Sequence, residues 1–219
     1  MGPRLAALRR PRLMPGEQAR QDFIASWAAS LPSLSRVLDA GAGDCPFRSW
    51  FNHCVYTAQD MRPSASIAVV CQIYSLPFDT GFFDAVLCTE VLEHLTWPEE
   101  AIAELSRVLK PNGTLCLTAP LTSGIHQAPV HYYGGFSRYW YERILPDHAL
   151  DIVTMESNGG FFRLYGQETE RVTSFFPWPI KLVLWPWCRW LIPWLCRRLD
   201  TWDTAQEFSI GSLVVARRR

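Results

Sequence analysis

The chain has 219 residues, 48% of them hydrophobic, with 21 basic side chains balanced by 21 acidic ones. That length and apolar content suffice for one domain with a sizeable core, and the absence of net charge disfavours nucleic acid as a partner. Seven cysteines, at 45, 54, 71, 88, 116, 188 and 196, form no Cys-x-x-Cys pair, and several lie in apolar runs where Cys acts as a small buried hydrophobe. A reducing, cytoplasmic compartment is the expectation.

The N-terminus carries Arg4, Arg9, Arg10 and Arg12 with no acid before Glu17, and lacks the long apolar core and cleavage site of a secretory signal. It reads as a solvated basic tail or as a contact for an anionic surface. From Glu17, the residues Phe23, Ile24, Trp27 and Leu31 recur at helical spacing and Pro32 stops the helix, which should cover the sheet. Arg36 to Asp44 (RVLDAGAGD) is an apolar strand that runs into a glycine turn and the start of a helix. Two glycines one residue apart let the backbone bend and approach a ligand, so this is a cofactor-binding turn or a plain tight turn. A short helix at 46–51 precedes a second strand, Val55 to Asp60. A carboxylate about 20 residues past such glycines, at a strand's carboxyl end, is placed to bond ribose hydroxyls. Asp is also a common turn residue there.

Ile67 to Ile73 predicts a third strand and Phe83 to Cys88 a fourth, whose end leads through Thr89-Glu90-Val91-Leu92-Glu93-His94 into a short helix. Thr96 to Glu99 predicts a capping box. Ile102, Leu105, Val108 and Leu109 make one apolar helix face, ended by Lys110-Pro111-Asn112-Gly113, and Thr114 to Ala119 predicts a fifth strand. Asp151 to Glu156 should be the sixth strand, Phe161 to Gln167 a helix, and Gln206 to Ala216 the last strand. Between these last two lies a run, residues 175–196, with Trp178, Trp185, Trp187, Trp190 and Trp194, four prolines, and Lys181 and Arg189. The prolines and charges argue against a continuous membrane span. With no acid from Arg171 through Leu199, the segment 175–199 reads as an interfacial anchor on an anionic membrane surface, as a broken-helix cap on the sheet, or as a dimer face. Oligomeric state stays open.

Strands alternating with helices predict an α/β fold, a Rossmann-like, doubly wound, mostly parallel sheet, in a single domain over 1–219. Its parts are a basic tail and helix (1–35), a cofactor-binding core (36–157), a hydrophobic helical insertion rich in Trp (158–205) and the last strand (206–219). The run VLDAGAG, Asp60, SLPF, FDAVLCTEVLEHL, RVLKPNG and LCLTAP resembles, in order and spacing, the motifs of the class I S-adenosylmethionine-dependent methyltransferases, of the type 11-like kind. The resemblance is strong over 36–120 and looser over 121–160. It implies a seven-stranded sheet whose last strand is antiparallel, and S-adenosyl-L-methionine as cofactor. Asp39, Gly41 and Gly43 would form the loop under its methionine part, Asp60 would hold both ribose hydroxyls, Ile73 would flank the adenine, and Thr89 and Glu90 would line the other side. Thr89 reads equally as strand-end packing. Two positions depart from the pattern: Cys45-Pro46 stands where a third small residue is usual, and Gln72 where many relatives carry an acid.

Methyl transfer asks little of side chains beyond alignment. A hydroxyl acceptor would need a base, for which His94, His126 and His131 are the candidates, with His131 and His94 taken as the catalytic pair. The aromatic loop 131–141 reads as a packed lid or a substrate contact, and Tyr132, Tyr133 and Arg138 are its polar candidates for substrate binding. No metal is expected, because the histidines do not pair with carboxylates at ligand spacing. The leading function is methyl transfer to a small-molecule or lipid-linked acceptor, by a cytoplasmic protein peripheral on the inner face of a membrane. The alternative is a non-catalytic cofactor-binding module whose insertion serves membrane or protein association.

Overall fold

A computed structural model describes residues 15–219. The basic run Arg4 to Arg12 lies outside the described residues. Helix α1 (Pro15–Ser30) leads into β1 (Arg36–Ala40), followed by β2 (Val55–Asp60), the short β3 (Val69–Val70) and β4 (Phe83–Thr89). Then come α2 (Pro98–Val108), β5 (Leu109–Pro120), α3 (Arg138–Asp147) and β6 (Leu150–Ser157). The chain ends with α4 (Phe161–Val172), α5 (Trp178–Pro186), α6 (Ile192–Leu199) and β7 (Gly211–Arg218).

The strands form one seven-stranded sheet in the order β3-β2-β1-β4-β5-β7-β6. Strands β1 to β5 pair in parallel, whereas β7 runs antiparallel to both β5 and β6. The order reverses between β1 and β4, so a crevice opens at the carboxyl ends of those strands, where doubly wound sheets hold their ligands. Alternation along the strands sends side chains to two cores. Val37, Ala85, Leu87 and Cys116 pack with Ile24 and Trp27 of α1, and Leu38, Val86, Cys88, Leu115 and Leu117 pack with Ile102 and Leu105 of α2. Full burial of Ile102, Leu105 and Val108 contributes on the order of 2 kcal/mol each. All seven cysteines are free, and Cys88 and Cys116 are fully buried in the sheet.

Three local expectations change. The third strand shrinks to two residues, held by Gln59↔Val69 and Asp60↔Val70, because turns closed by Ile67 N–H to Ser64 and Ser75 N–H to Gln72 cap it from both sides. The capping box does not form: Pro98 occupies the first helical turn, which moves the N-cap to Trp97, and no side chain caps the helix. Thr96 instead offers its carbonyl to the Tyr133 hydroxyl at 3.1 Å. The last strand starts at Gly211, not Gln206, since Gln206 turns back with a φ of 48° and its N–H bonds Asp203 Oδ1 at 3.0 Å. The Trp-rich run is a broken helix, α5 and α6 joined by a π-helical turn at Trp187–Leu191. Among the described residues no helix is long and apolar enough to cross a membrane.

Candidate functional site

The glycine turn after β1 is built from two residues in the left-handed region, Gly41 at φ 73° and Gly43 at φ 52°. A Cβ on Gly41 would meet Val91 Cγ2 at 2.5 Å, so the loop is pressed against the segment leaving β4. A Cβ on Gly43 would meet nothing within 4 Å, because Gly43 faces the crevice. The loop is tied to β2: Gly41 and Ala42 both donate to the Gln59 carbonyl at 2.9 Å, and Gly43 donates to Asp60 Oδ2 at 3.0 Å. Asp60 Oδ1 accepts from the Arg62 amide at 2.8 Å, which fixes the carboxylate with lone pairs to spare toward the crevice. Cys45, where a small residue is usual, adopts φ 53°; this left-handed conformation costs a side chain about 1 kcal/mol.

These residues surround one cavity of about 330 Å³, lined by Gly41, Gly43, Asp60, Ile73, Glu90 and His94 among others. Gln59, Gln72 and Val91 also line it. Asp39 lies beneath the loop, 2% exposed, accepting the Tyr56 hydroxyl. Burial raises its pKa to about 6; the Tyr56 hydrogen bond opposes this and the nearby Asp60 charge adds to it. Thr89 is half-buried opposite Thr118 and does not line the cavity. Glu90 follows it in a left-handed crook, φ 53°, its N–H bonded to the Thr118 carbonyl at 2.9 Å and its carboxylate to Thr118 Oγ1 at 2.9 Å. Arg20 of α1 pairs with the same carboxylate at 3.1 Å. No sequence signal separates Arg20 from the other polar positions of α1.

Beyond Glu90 lies a second cavity of about 250 Å³, whose walls include Arg20, Ser123, His126, Asn158, Gln167 and Arg171. Three histidines meet at the seam of the two cavities: the ring centroids of His94, His126 and His131 lie 4.5 to 5.7 Å apart. Sequence spacing alone hides this cluster, since the loop after β5 folds back over the turn after β4. Burial lowers the His94 pKa, with a push in the same direction from His126 and His131. Glu93 beside it is fully buried, and burial followed by repulsion from Glu90 pushes its pKa up to about 8.

The other loop residues stand elsewhere. The Tyr132 and Tyr133 amides both donate to the Glu93 carbonyl, at 2.9 and 3.2 Å, which pins the loop to the turn. Arg138 pairs with Glu142 and lines a separate cavity of about 540 Å³ with Tyr139 and Glu156. A roomier cavity, about 660 Å³, sits at the amino-terminal edge of β1 and β4 around Ser33, Asp84 and Lys110, away from the strand ends that carry the loop.

The sequence of residues 38–117 matches the family model described as a methyltransferase domain. Residues 38–117 thus resemble a methyltransferase domain. A tRNA (carboxymethyluridine(34)-5-O)-methyltransferase of Arabidopsis thaliana is 33% identical over 111 residues, 46% of this chain and 28% of that one. An uncharacterized methyltransferase of Schizosaccharomyces pombe is 50% identical over 44 residues, 20% of this chain and 16% of its own. The chain thus spans less than a third of the curated relatives it matches. The likeness in fold extends beyond residues 38–117 over nearly the whole chain. Geranyl diphosphate methyltransferase in complex with GPP and sinefungin superposes with a TM-score of 0.60 at 18% identity, over 93% of this chain and 78% of that one. The [4+2]-cyclase SpnF gives 0.59 at 17% identity, over 92% and 82%. These likenesses establish the class I methyltransferase fold, and with a cyclase among them the fold alone does not fix the reaction.

Proposed function

We propose that the methyltransferase domain binds S-adenosylmethionine in the 330 Å³ cavity and methylates a small or lipid-linked acceptor presented from the second cavity. The observation that carries this reading is the cradle itself: a glycine whose missing Cβ opens onto the crevice, beside a buried carboxylate at the end of β2. S-adenosylmethionine supplies, when bound, a sulfonium methyl that an acceptor nucleophile takes by in-line displacement. Asp60 has the lone pairs to accept from two ribose hydroxyls, and Ile73 with Gln72 offers an apolar face and an amide to the adenine. Asp39, under the loop, carries the negative charge that suits an ammonium group. His94, which lines this cavity, and His131 beside it are the candidate bases for a hydroxyl acceptor.

The acceptor-side cavity has walls of mixed polarity, with Arg20 and Arg171 among them. Its wall helix α4 is backed by α6 through a close contact: a Cβ on Gly166 would lie 3.0 Å from Cys196 Cβ. On this same insertion Trp178, Trp187, Trp190, Trp194 and Trp202 are all more than half exposed, with Leu182 and Val183. Arg189 is engaged by Glu170 at 2.7 Å, which leaves Lys181, Arg197 and Arg198 as the cations of the surface. An apolar, Trp-rich face edged by cations suits the headgroup region of an anionic membrane. A cavity with two arginines in its wall, one helix away from that face, suits an amphiphile with an anionic headgroup.

Transfer of labelled methyl from S-adenosylmethionine to cell extract, divided into lipid and aqueous fractions, tests the reading. Label in the lipid fraction, lost in Asp60→Ala, is expected. Calorimetric binding of S-adenosylhomocysteine with no transfer to any fraction, RNA included, would leave the non-catalytic module instead.

A further inference from the structure

His94 closes the short helical turn after β4, and His126 and His131 come from the loop after β5. One ligating nitrogen from each lies within 4.8 Å of the other two. Their orientation is set from outside. His94 Nδ1 is 2.5 Å from the Val130 carbonyl and His126 Nδ1 is 2.9 Å from the Gly124 carbonyl. A carbonyl only accepts, so each Nδ1 carries its proton, and each Nε2 is left with a bare lone pair. Backbone carbonyls orient metal-binding imidazoles in this same manner. His94 Nε2 and His131 Nδ1 are buried with no hydrogen-bond partner. Behind them stands Glu93, its side chain 1% exposed, with neither carboxylate oxygen bonded and Oε1 3.8 Å from His94 Nε2. Converging lone pairs and an unpartnered buried carboxyl are costly unless a cation collects them.

We propose that His94, His126 and His131 form a binding site for a divalent transition-metal ion of the zinc class, with Glu93 as the acid behind it. Three imidazoles favour zinc, cobalt or ferrous ion over the oxygen-seeking magnesium and calcium. Zinc–nitrogen bonds of about 2.0–2.1 Å in a tetrahedron set the nitrogens about 3.4 Å apart, so the rings draw inward from the 4.8 Å limit as the ion binds. Three protein ligands leave a fourth position open, the pattern of a catalytic zinc site and not of a closed structural one. That position falls at the seam of the two cavities, since His94 lines one and His126 the other. The use of the ion deepens the proposed methyl transfer and rests on it: an acceptor oxygen held there becomes more acidic, and His94 and His131 then act as ligands, not as free bases. The binding of the ion rests on the histidines alone.

Full-length protein stripped with chelator is titrated with Co²⁺ and followed by visible absorption, with Zn²⁺ as competitor. One Co²⁺ per chain, displaced by Zn²⁺ and weakened at least about 100-fold in both His126→Ala and His131→Ala, is the expected result. His53→Ala, a histidine bonded to Leu31 far from the seam, should bind as the parent does, and far-ultraviolet circular dichroism checks that every variant is folded. Absence of one-to-one binding, or equal binding by the folded His126→Ala and His131→Ala variants, overturns the site whatever the cofactor does. If the cobalt spectrum persists in a protein that calorimetry shows not to bind S-adenosylhomocysteine, the methyl-transfer reading fails and the metal site stands.

Discussion

Asparagine at position 39 is isosteric with the native aspartate and never ionises. In the folded chain the Asp39 carboxyl holds its proton up to a pH of about 6, against an ordinary value of 3.8. Its favourable contribution is whole below pH 3.8 and is lost as pH rises through 6. Above that, keeping the buried group ionised costs about 3 kcal/mol, at about 1.36 kcal/mol per decade. Asp39→Asn escapes this cost, though one amide N–H₂ without an acceptor takes back about 1–3 kcal/mol. That offset does not depend on pH. The variant's stability relative to the parent should therefore climb by about 2.5 kcal/mol between pH 4 and pH 8, or roughly 5–10 °C in Tm for a chain of this size. Differential scanning fluorimetry of both proteins across that range measures it. S-adenosylhomocysteine affinity should move oppositely: about 10–100-fold weaker in the variant at pH 8, and in the parent falling about tenfold per pH decade below 6. A Tm difference that stays constant from pH 4 to pH 8 would refute the reasoning, because it would mean that Asp39 is not ionised at a penalty.

Gly41→Ala places a methyl 2.5 Å from Val91 Cγ2 at a φ of 73° and should cost about 2–4 kcal/mol in urea unfolding, with loss of calorimetric cofactor binding. Gly166→Leu drives α6 off α4, where Cys196 and Pro193 leave no room; limited proteolysis should cut the 175–199 segment faster, with about 1–3 kcal/mol lost. Substituting serine for Trp178, Trp187 and Trp194 together removes exposed rings and should leave Tm within about 1 °C. Sedimentation with anionic vesicles should then fall at least about tenfold, whereas equal sedimentation would remove the membrane from the proposal.

The centre of this fold is written locally. The β1 and β4 runs are apolar on both faces because helices cover both, and their alternation survives in the two cores that Val37 and Leu38 enter. The glycine turn and Asp60 are legible because a left-handed φ and a strand-end carboxylate each demand a residue type. What escaped the sequence depends on contacts distant along the chain. Pro98 overrules Thr96 as the start of α2, since the ring fixes the first turn. Arg138, a candidate substrate contact, pairs with Glu142 and lines another cavity than the one the glycine turn lines. The histidine cluster joins residues 94, 126 and 131 through a fold-back held by Tyr132 and Tyr133 amides on the Glu93 carbonyl, a closure that no ligand spacing records.

Glu90, in its left-handed crook, is the one residue among the described residues that lines both the 330 Å³ and the 250 Å³ cavities. Its carboxylate has two standing claims, Thr118 and Arg20, and a ligand in either chamber competes for it. Occupancy of one side therefore shifts the free energy of filling the other, and by linkage the factor is the same in both directions. A single side chain thus couples the two chambers: a ligand that releases Glu90 from Arg20 also frees a guanidinium for an anion on the far side.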